Sequence, residues 1–143
     1  MIPAHDGDPR RNSEGYLDLT AFEALKRAQR KSFGYRPLVY ICSPYSVDVQ
    51  ANVVVARDFC RVAVERRKIP FAPHLLFPQF MNDQNHRERE LAMFFNRILI
   101  GHCEAVWVYA DHISTGMRQE ISWARSMGLP IKYFTTNFEE ARP

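Results

Sequence analysis

Glu120 is the residue around which the most specific chemistry in this sequence can be drawn. It stands four places after Gly116 in the run Ser114-Thr115-Gly116-Met117-Arg118-Gln119-Glu120. A serine and a glycine ahead of an apolar-periodic stretch mark a helix start. The hydroxyl caps it, the glycine lets a ligand approach the backbone, and the free N–H groups of the first turn favour an anion. A phosphate or carboxylate suits that place. Glu120 then falls in the early turns of the helix, where side chains lean back toward its beginning. Its neighbours Met117, Ile121 and Ala124 form the apolar stripe, which sets Glu120 close to the buried face and toward a cleft. A plainer reading of the same residues stays open: Ser114 only caps, Gly116 only turns the loop, and Glu120 is solvated.

Two further stretches carry polar or small residues where strands should end, Ser43-Pro44-Tyr45-Ser46 and Pro73 to Gln79. His74 in the second is bracketed by prolines and can reach a cleft as a donor that reads a base or as a proton shuttle. Bonding to a loop carbonyl is the alternative. Asp111 opens the loop that leads to Ser114. Arg87 and Arg89 flank Glu88 in a run of alternating charge and read as a solvated helix start. Arg118 is near the anion position in sequence, but on the helix it can point away, so it is not counted in the site.

These residues need a frame. From Pro37 onward, short apolar runs alternate with helical periods, the pattern of parallel strands joined by crossover helices. Leu38-Val39-Tyr40-Ile41-Cys42 reads as the first strand, and a helix follows over about 50–67 through Ala51, Val55, Phe59 and Ala63. Residues 69–72 form a short second strand, and Pro73 to Pro78 a loop. Residues 87–100 repeat helical spacing through Leu91, Phe94 and Ile98 and stop at Gly101. Residues 105–109 and 131–134 are the third and fourth strands. The helix between them buries Met117, Ile121, Ala124 and Met127 and ends at Gly128 and Pro130.

In such an open sheet, ligands bind beyond the carboxyl ends of the strands where the strand order reverses, and that selects the three loops named above. The first 36 residues read differently. They form a polar arm followed by a short helix over roughly 20–30, with Thr20 and Glu23 at capping-box spacing. This helix reads as an appendage packed on the main domain, residues 37–143, or as an oligomer contact.

Composition bounds the remaining possibilities. The 143 residues, 46% hydrophobic and 24% charged, suit one globular domain with a real core. No apolar run approaches the span of roughly 20 residues that crosses a bilayer. Met1 to Arg11 has no signal-peptide stretch, so a soluble, cytoplasmic protein is expected. Nineteen Lys+Arg against sixteen Asp+Glu give a net charge of +3. That charge is scattered, and nucleic acid is not the expected partner. Cys42, Cys60 and Cys103 are odd in number and widely spaced, which fits a reducing compartment. With no paired histidines, neither a metal nor a cofactor is expected.

Val39-Tyr40-Ile41-Cys42-Ser43-Pro44-Tyr45 resembles the first-strand motif of the nucleoside 2-deoxyribosyltransferase-like superfamily, a tyrosine inside an apolar strand followed by a small-Pro-aromatic turn. Ser114 to Glu120 is similar to the Ser-x-Gly-x-x-x-Glu segment of its 2'-deoxynucleoside 5'-phosphate N-hydrolases. Together with Ala72 to Phe80, the resemblance covers residues 38–134 and looks closest to an uncharacterised branch.

The resemblance implies a Rossmann-like three-layer α/β sandwich with a central, mostly parallel sheet of four or five strands, preceded by the N-terminal arm and helix. It implies an N-glycosidase or deoxyribosyltransferase acting on a nucleoside or nucleoside 5'-monophosphate, with Glu120 as nucleophile and Tyr40 orienting its carboxylate. A non-catalytic nucleotide-binding module is the other expectation. Ser43, Pro44, Tyr45, His74, Asn96, Asp111, Ser114, Thr115, Gly116 and Met117 would contact substrate, the serine and glycine holding a 5'-phosphate. A homo-oligomer is implied, with Phe77, Phe80 and Met81 as a candidate contact. One departure matters for the chemistry. The superfamily places a carboxylate near the end of the helix before the third strand, and the best match here is Asn96, whose amide has no titratable proton. The proton donor would then come from Glu88, Glu90, Asp111 or His74, or be absent.

Overall fold

The computed structural model describes residues 19–142. The chain divides into two compact units, Met1–Tyr35 and Arg36–Pro143. Of the first, the described part holds helix α1 (Leu19–Phe33), inside which Lys26 lies over the Phe22 ring one turn away. Thr20 is a residue of the helix rather than its cap. Gly34, at φ 76°, stops it by turning its N–H back to the Arg30 carbonyl, a left-handed cap that glycine adopts without a Cβ clash. The polar arm expected at the beginning of the chain lies outside the described residues up to residue 18.

The second unit runs β1 (Leu38–Cys42), α2 (Val49–Glu65), β2 (Ile69–Phe71), α3 (Pro73–Leu76), α4 (His86–Ile100), β3 (Ala105–Tyr109), α5 (Thr115–Ser126), β4 (Ile131–Phe134) and β5 (Glu140–Ala141). The sheet order is β2-β1-β3-β4-β5, parallel except for the antiparallel edge β5. This is the Rossmann-like α/β architecture with a mostly parallel sheet. β2 carries Pro70 because it is the edge strand, where a missing N–H leaves no ladder bond unmade.

Side-chain alternation along the strands divides the core between two layers. Tyr40, Cys42, Val106 and Val108 face Ile100 of α4 and Met117, Ile121 and Ala124 of α5. Val39, Ile41, Trp107 and Tyr109 face Phe59 and Ala63 of α2. Phe59 is the hub of that second layer, 5.1 Å from the Phe134 ring and 5.4 Å from Phe138 between centroids. Burying a side chain of that size contributes about 2–3 kcal/mol.

Three elements depart from the sequence expectations. Residues 73–76, expected as loop, form α3 and lead into a tight 3-10 turn at 77–79, because Pro73 stands where a helix needs no N–H. The edge β5 makes the sheet five-stranded, within the expected four or five, at residues for which no strand was read. The largest departure is the rotation of α4, whose expected stripe of Leu91, Phe94 and Ile98 is exposed at 45%, 56% and 47% while Asn96 and Ile100 are buried. Apolar residues surround this helix on every side, so periodicity could not choose a face. Met127, just past the end of α5, is likewise 40% exposed.

Candidate functional site

The strand order 2-1-3-4-5 changes direction between β1 and β3, so the loops leaving these two strands part and open a cleft at their carboxyl ends. A cleft of about 410 Å³ lies there, walled by the starts of α3 and α5 and by the inner face of α4. Glu120 lines it while being only 2% exposed.

What holds that carboxylate follows from strand geometry. Tyr40 and Cys42, two residues apart on β1, point to the same side of the sheet, directly beneath α5. The Tyr40 hydroxyl donates to Glu120 Oε2. The Cys42 thiol lies 3.9 Å from Glu120 Oε1 and 3.8 Å from the Met117 carbonyl, a weak donor beside both. Burial pushes the Glu120 carboxyl up from its ordinary 4.5 to about 7, with the Tyr40 and Cys42 hydrogen bonds pulling the other way. Burial and the neighbouring carboxylate keep Tyr40 and Cys42 well above their usual range, so both stay protonated and donate. Glu120 is therefore a fixed, desolvated carboxylate that is partly ionised at neutral pH and opens onto a cavity. Such a group is suited to proton transfer or to attack on an electrophilic carbon.

The α5 start is built as an anion end. Ser114 caps it, its Oγ accepting the Met117 N–H at 3.2 Å. The N–H groups of Thr115 and Gly116 have no carbonyl within the helix to meet. Gly116 is not required by the fold. A Cβ there would meet only Ser114 Oγ at 4.0 Å, and its φ is not in the left-handed region. Small size at this position is consistent with room left on the cleft side. Thr115 is exposed, whereas Met117 is buried.

The far wall carries an aromatic step. The Tyr45 and His74 rings stack with centroids 5.0 Å apart, and Phe77 continues the wall toward Met81. His74 makes a hydrogen bond to the Ser43 backbone, and burial lowers its pKa to about 4, so the imidazole is neutral. Asn96 reaches the cleft from α4, 3% exposed. Its Nδ2 lies 3.9 Å from Met93 Sδ, and its buried Oδ1 has no partner among the described residues.

Of the residues singled out from the sequence, Glu120, Tyr45, His74, Asn96, Ser114, Thr115, Gly116 and Met117 thus come together around one cavity. Tyr40 stands behind Glu120. Ser43 and Pro44 are buried beneath the Tyr45 turn and do not line the cleft, and the Ser43 hydroxyl is itself without a partner among the described residues. Asp111 is exposed and is not on the cleft wall.

Glu88, a sequence candidate for proton donor, is on the wall, and other residues there were not expected. Arg118, which sequence position alone left outside the site, lines the cleft, as does Arg89 from the charged start of α4. Asp83 and Met93 join them. Cys42 was legible, because any residue two places from Tyr40 on a strand shares its face. Asp83 carried only a faint signal, the turn-forming run Asn82-Asp83-Gln84-Asn85. Among the described residues, no group of three His, Cys, Asp or Glu could hold a metal ion, and no helix is long and apolar enough to cross a membrane.

Residues 37–134 match a protein family described as "Domain of unknown function (DUF7768)". No curated protein matches the chain. Among solved structures, the fold is similar to that of a 2-deoxyribosyltransferase from the psychrotolerant bacterium Bacillus psychrosaccharolyticus. The TM-score is 0.54 at 17% sequence identity, over 73% of this chain and 77% of that one.

Proposed function

Since this chain belongs to the DUF7768 family and has a 2-deoxyribosyltransferase-like fold, we propose that it cleaves or transfers the N-glycosidic bond of a small nucleoside or nucleoside 5'-monophosphate. The observation that carries this reading is Glu120, a buried carboxylate held by two protonated donors from β1 at the floor of a cleft. In its ionised form it attacks the anomeric carbon as the base departs. A glycosyl-enzyme ester results, which water or a second base then resolves. Tyr40 positions the carboxylate. The stacked pair Tyr45 and His74 offers a flat wall for the base, and neutral His74 and Asn96 offer hydrogen bonds. Ser114, Thr115, Gly116 and Met117 hold the phosphate at the α5 start. Ser43 and Pro44 shape the turn that carries Tyr45.

Incubating the purified protein with deoxy- and ribonucleosides and their 5'-monophosphates, and following free base by chromatography, tests the proposal. Release is expected from the wild type and lost in Glu120→Gln. Full activity in the variant would remove the mechanism. Asn96 favours a second reading, because an amide cannot protonate a leaving base: the same cleft binds a nucleotide without turning it over. Nucleotide that raises the melting temperature while no base appears would select that reading.

The reading includes a homo-oligomer in a reducing, cytoplasmic setting. On α4, Leu91, Phe94 and Ile98 are exposed, and Phe94 also lines a groove of about 430 Å³ together with Met93 and Trp123 and the polar His86, Arg89, Glu90 and Arg97. Arg89 and Met93 line both this groove and the cleft, so a second copy seated there would adjoin the site. Phe80, 66% exposed, adds a smaller patch, whereas Phe77 packs against Phe71 and Phe95. Light scattering of Phe94→Glu should show a smaller species than the wild type; a monomeric wild type would rule the contact out.

A further inference from the structure

Cleaving an N-glycosidic bond leaves an electron pair on the base, and an ordinary base departs slowly unless its ring is protonated as the bond breaks. Glu120 cannot supply the proton while acting as nucleophile, and the Asn96 amide has none to give. The candidates visible in sequence are removed in turn by geometry. Glu90 is off the cleft and lies 3.1 Å from His86. Asp111 is exposed and off the wall. His74 is on the wall, but its ring is stacked on Tyr45 and bonded to the Ser43 backbone. Glu88 is on the wall too, yet its Oε2 accepts the Asn82 N–H at 3.1 Å, which ties it to the loop.

Asp83 is the carboxylate left. It lines the cleft, is partly buried, and is close enough to His74 to act on its charge. It makes no hydrogen bond or ion pair with any described residue. Its position is nevertheless firmly set. The turn carrying it closes with the Asn85 N–H on the Asn82 carbonyl at 3.1 Å, and Asn82 Oδ1 accepts the Gln84 N–H at 3.0 Å. Asn85 in turn caps α4 through the N–H groups of Arg87 and Glu88. With its backbone held at both ends, the turn presents the Asp83 carboxyl group to the cavity that Glu120 floors.

We propose that Asp83 is the proton donor to the leaving base, a role that rests on the Glu120 reading. As the bond from the anomeric carbon to the base nitrogen breaks, its electron pair moves into the base ring, and a ring nitrogen of the base takes the Asp83 carboxyl proton. A Glu120 oxygen bonds to the carbon in the same step. Water then attacks that carbon, the ester bond breaks to regenerate the Glu120 carboxylate, and the water proton passes to Asp83.

The test compares Asp83→Asn with wild type on two substrates, whichever unmodified nucleoside or monophosphate the wild type cleaves and a 7-methylpurine nucleoside, whose base departs without taking a proton. For the unmodified substrate, kcat is expected to fall by about 10²–10⁴-fold, while the 7-methylpurine nucleoside loses less than about tenfold. Asp83→Glu should restore part of the loss. Asp83→Ser serves as a second variant should the asparagine chain not match the wild-type melting temperature. Equal losses on both substrates, or no loss, with Glu120→Gln inactive, would overturn the Asp83 role and leave the Glu120 reading standing. No base release by the wild type, or release retained in Glu120→Gln, would overturn both.

Discussion

Replacing Glu120 by glutamine should stabilise the protein above pH 7 and not near pH 4.5. The carboxyl sits 2% exposed, and its pKa is raised from 4.5 to about 7, chiefly by burial. Between those values the folded chain holds a proton that the unfolded chain has released, so wild-type stability declines as pH rises through this window and levels off above the folded pKa. At roughly 1.4 kcal/mol per pH unit, the window is worth about 3 kcal/mol. Glutamine carries no charge to desolvate and still accepts from Tyr40 through its amide oxygen. Its NH₂, however, meets only the weak Cys42 sulfur, which costs about 1–2 kcal/mol at every pH. The variant should therefore be slightly less stable than wild type at pH 4.5 and about 1–2 kcal/mol more stable at pH 8.5. For a domain of this size that is several degrees of melting temperature. Denaturant unfolding of both proteins across pH 4.5–8.5 measures it, with equal m-values as the control. A variant-minus-wild-type difference that stays flat across the window would refute the claim that Glu120 is a desolvated carboxylate.

Tyr40→Phe removes the stronger donor to Glu120, so the pH at which base release is half-maximal should move up from about 7 by about one unit or more; an unmoved pH profile would deny Tyr40 a positioning role. Gly116→Ala should leave stability equal or improve it by about 0.5–1 kcal/mol, since the added methyl meets only Ser114 Oγ, while weakening 5'-monophosphates more than nucleosides in a binding titration. Equal effects on both ligands would place the phosphate elsewhere. Phe59→Ala removes the ring at the centre of the α2 layer. It should cost about 3–5 kcal/mol in a denaturant melt, and a cost below about 1 kcal/mol would show that the layer collapses to fill the space.

Much of the frame was legible because each strand is an apolar run with turn residues on either side. Parallel strands are buried on both faces and need no alternation in the sequence. β1, β3 and β4 lie at their expected positions, and α5 buries Met117, Ile121 and Ala124 as its spacing requires. The candidate site was legible where chemistry follows local geometry. Ser114 and Gly116 mark a helix start, and Glu120 lies one turn further on, next to the buried stripe. A degenerate local pattern carries no such information. In α4, apolar residues on several sides left the choice of face to the sheet, which takes Ile100 and Asn96 and turns Leu91, Phe94 and Ile98 outward.

The order of strands β1 to β4, the helices α2, α4 and α5, and the end of the sheet at which the cleft opens were thus readable from the chain alone, since they depend on spacing over short stretches. Which side chains share the cavity was readable only in part, and then through the resemblance rather than through spacing. Glu120 meets Tyr40 across 80 positions of sequence, and Cys42 across 78. Asp83 and Arg89 join the wall while Asp111 leaves it. These meetings are set by the packing of α4 and α5 on the sheet, where filling space and satisfying buried polar groups outweigh any preference that a short stretch of chain expresses alone.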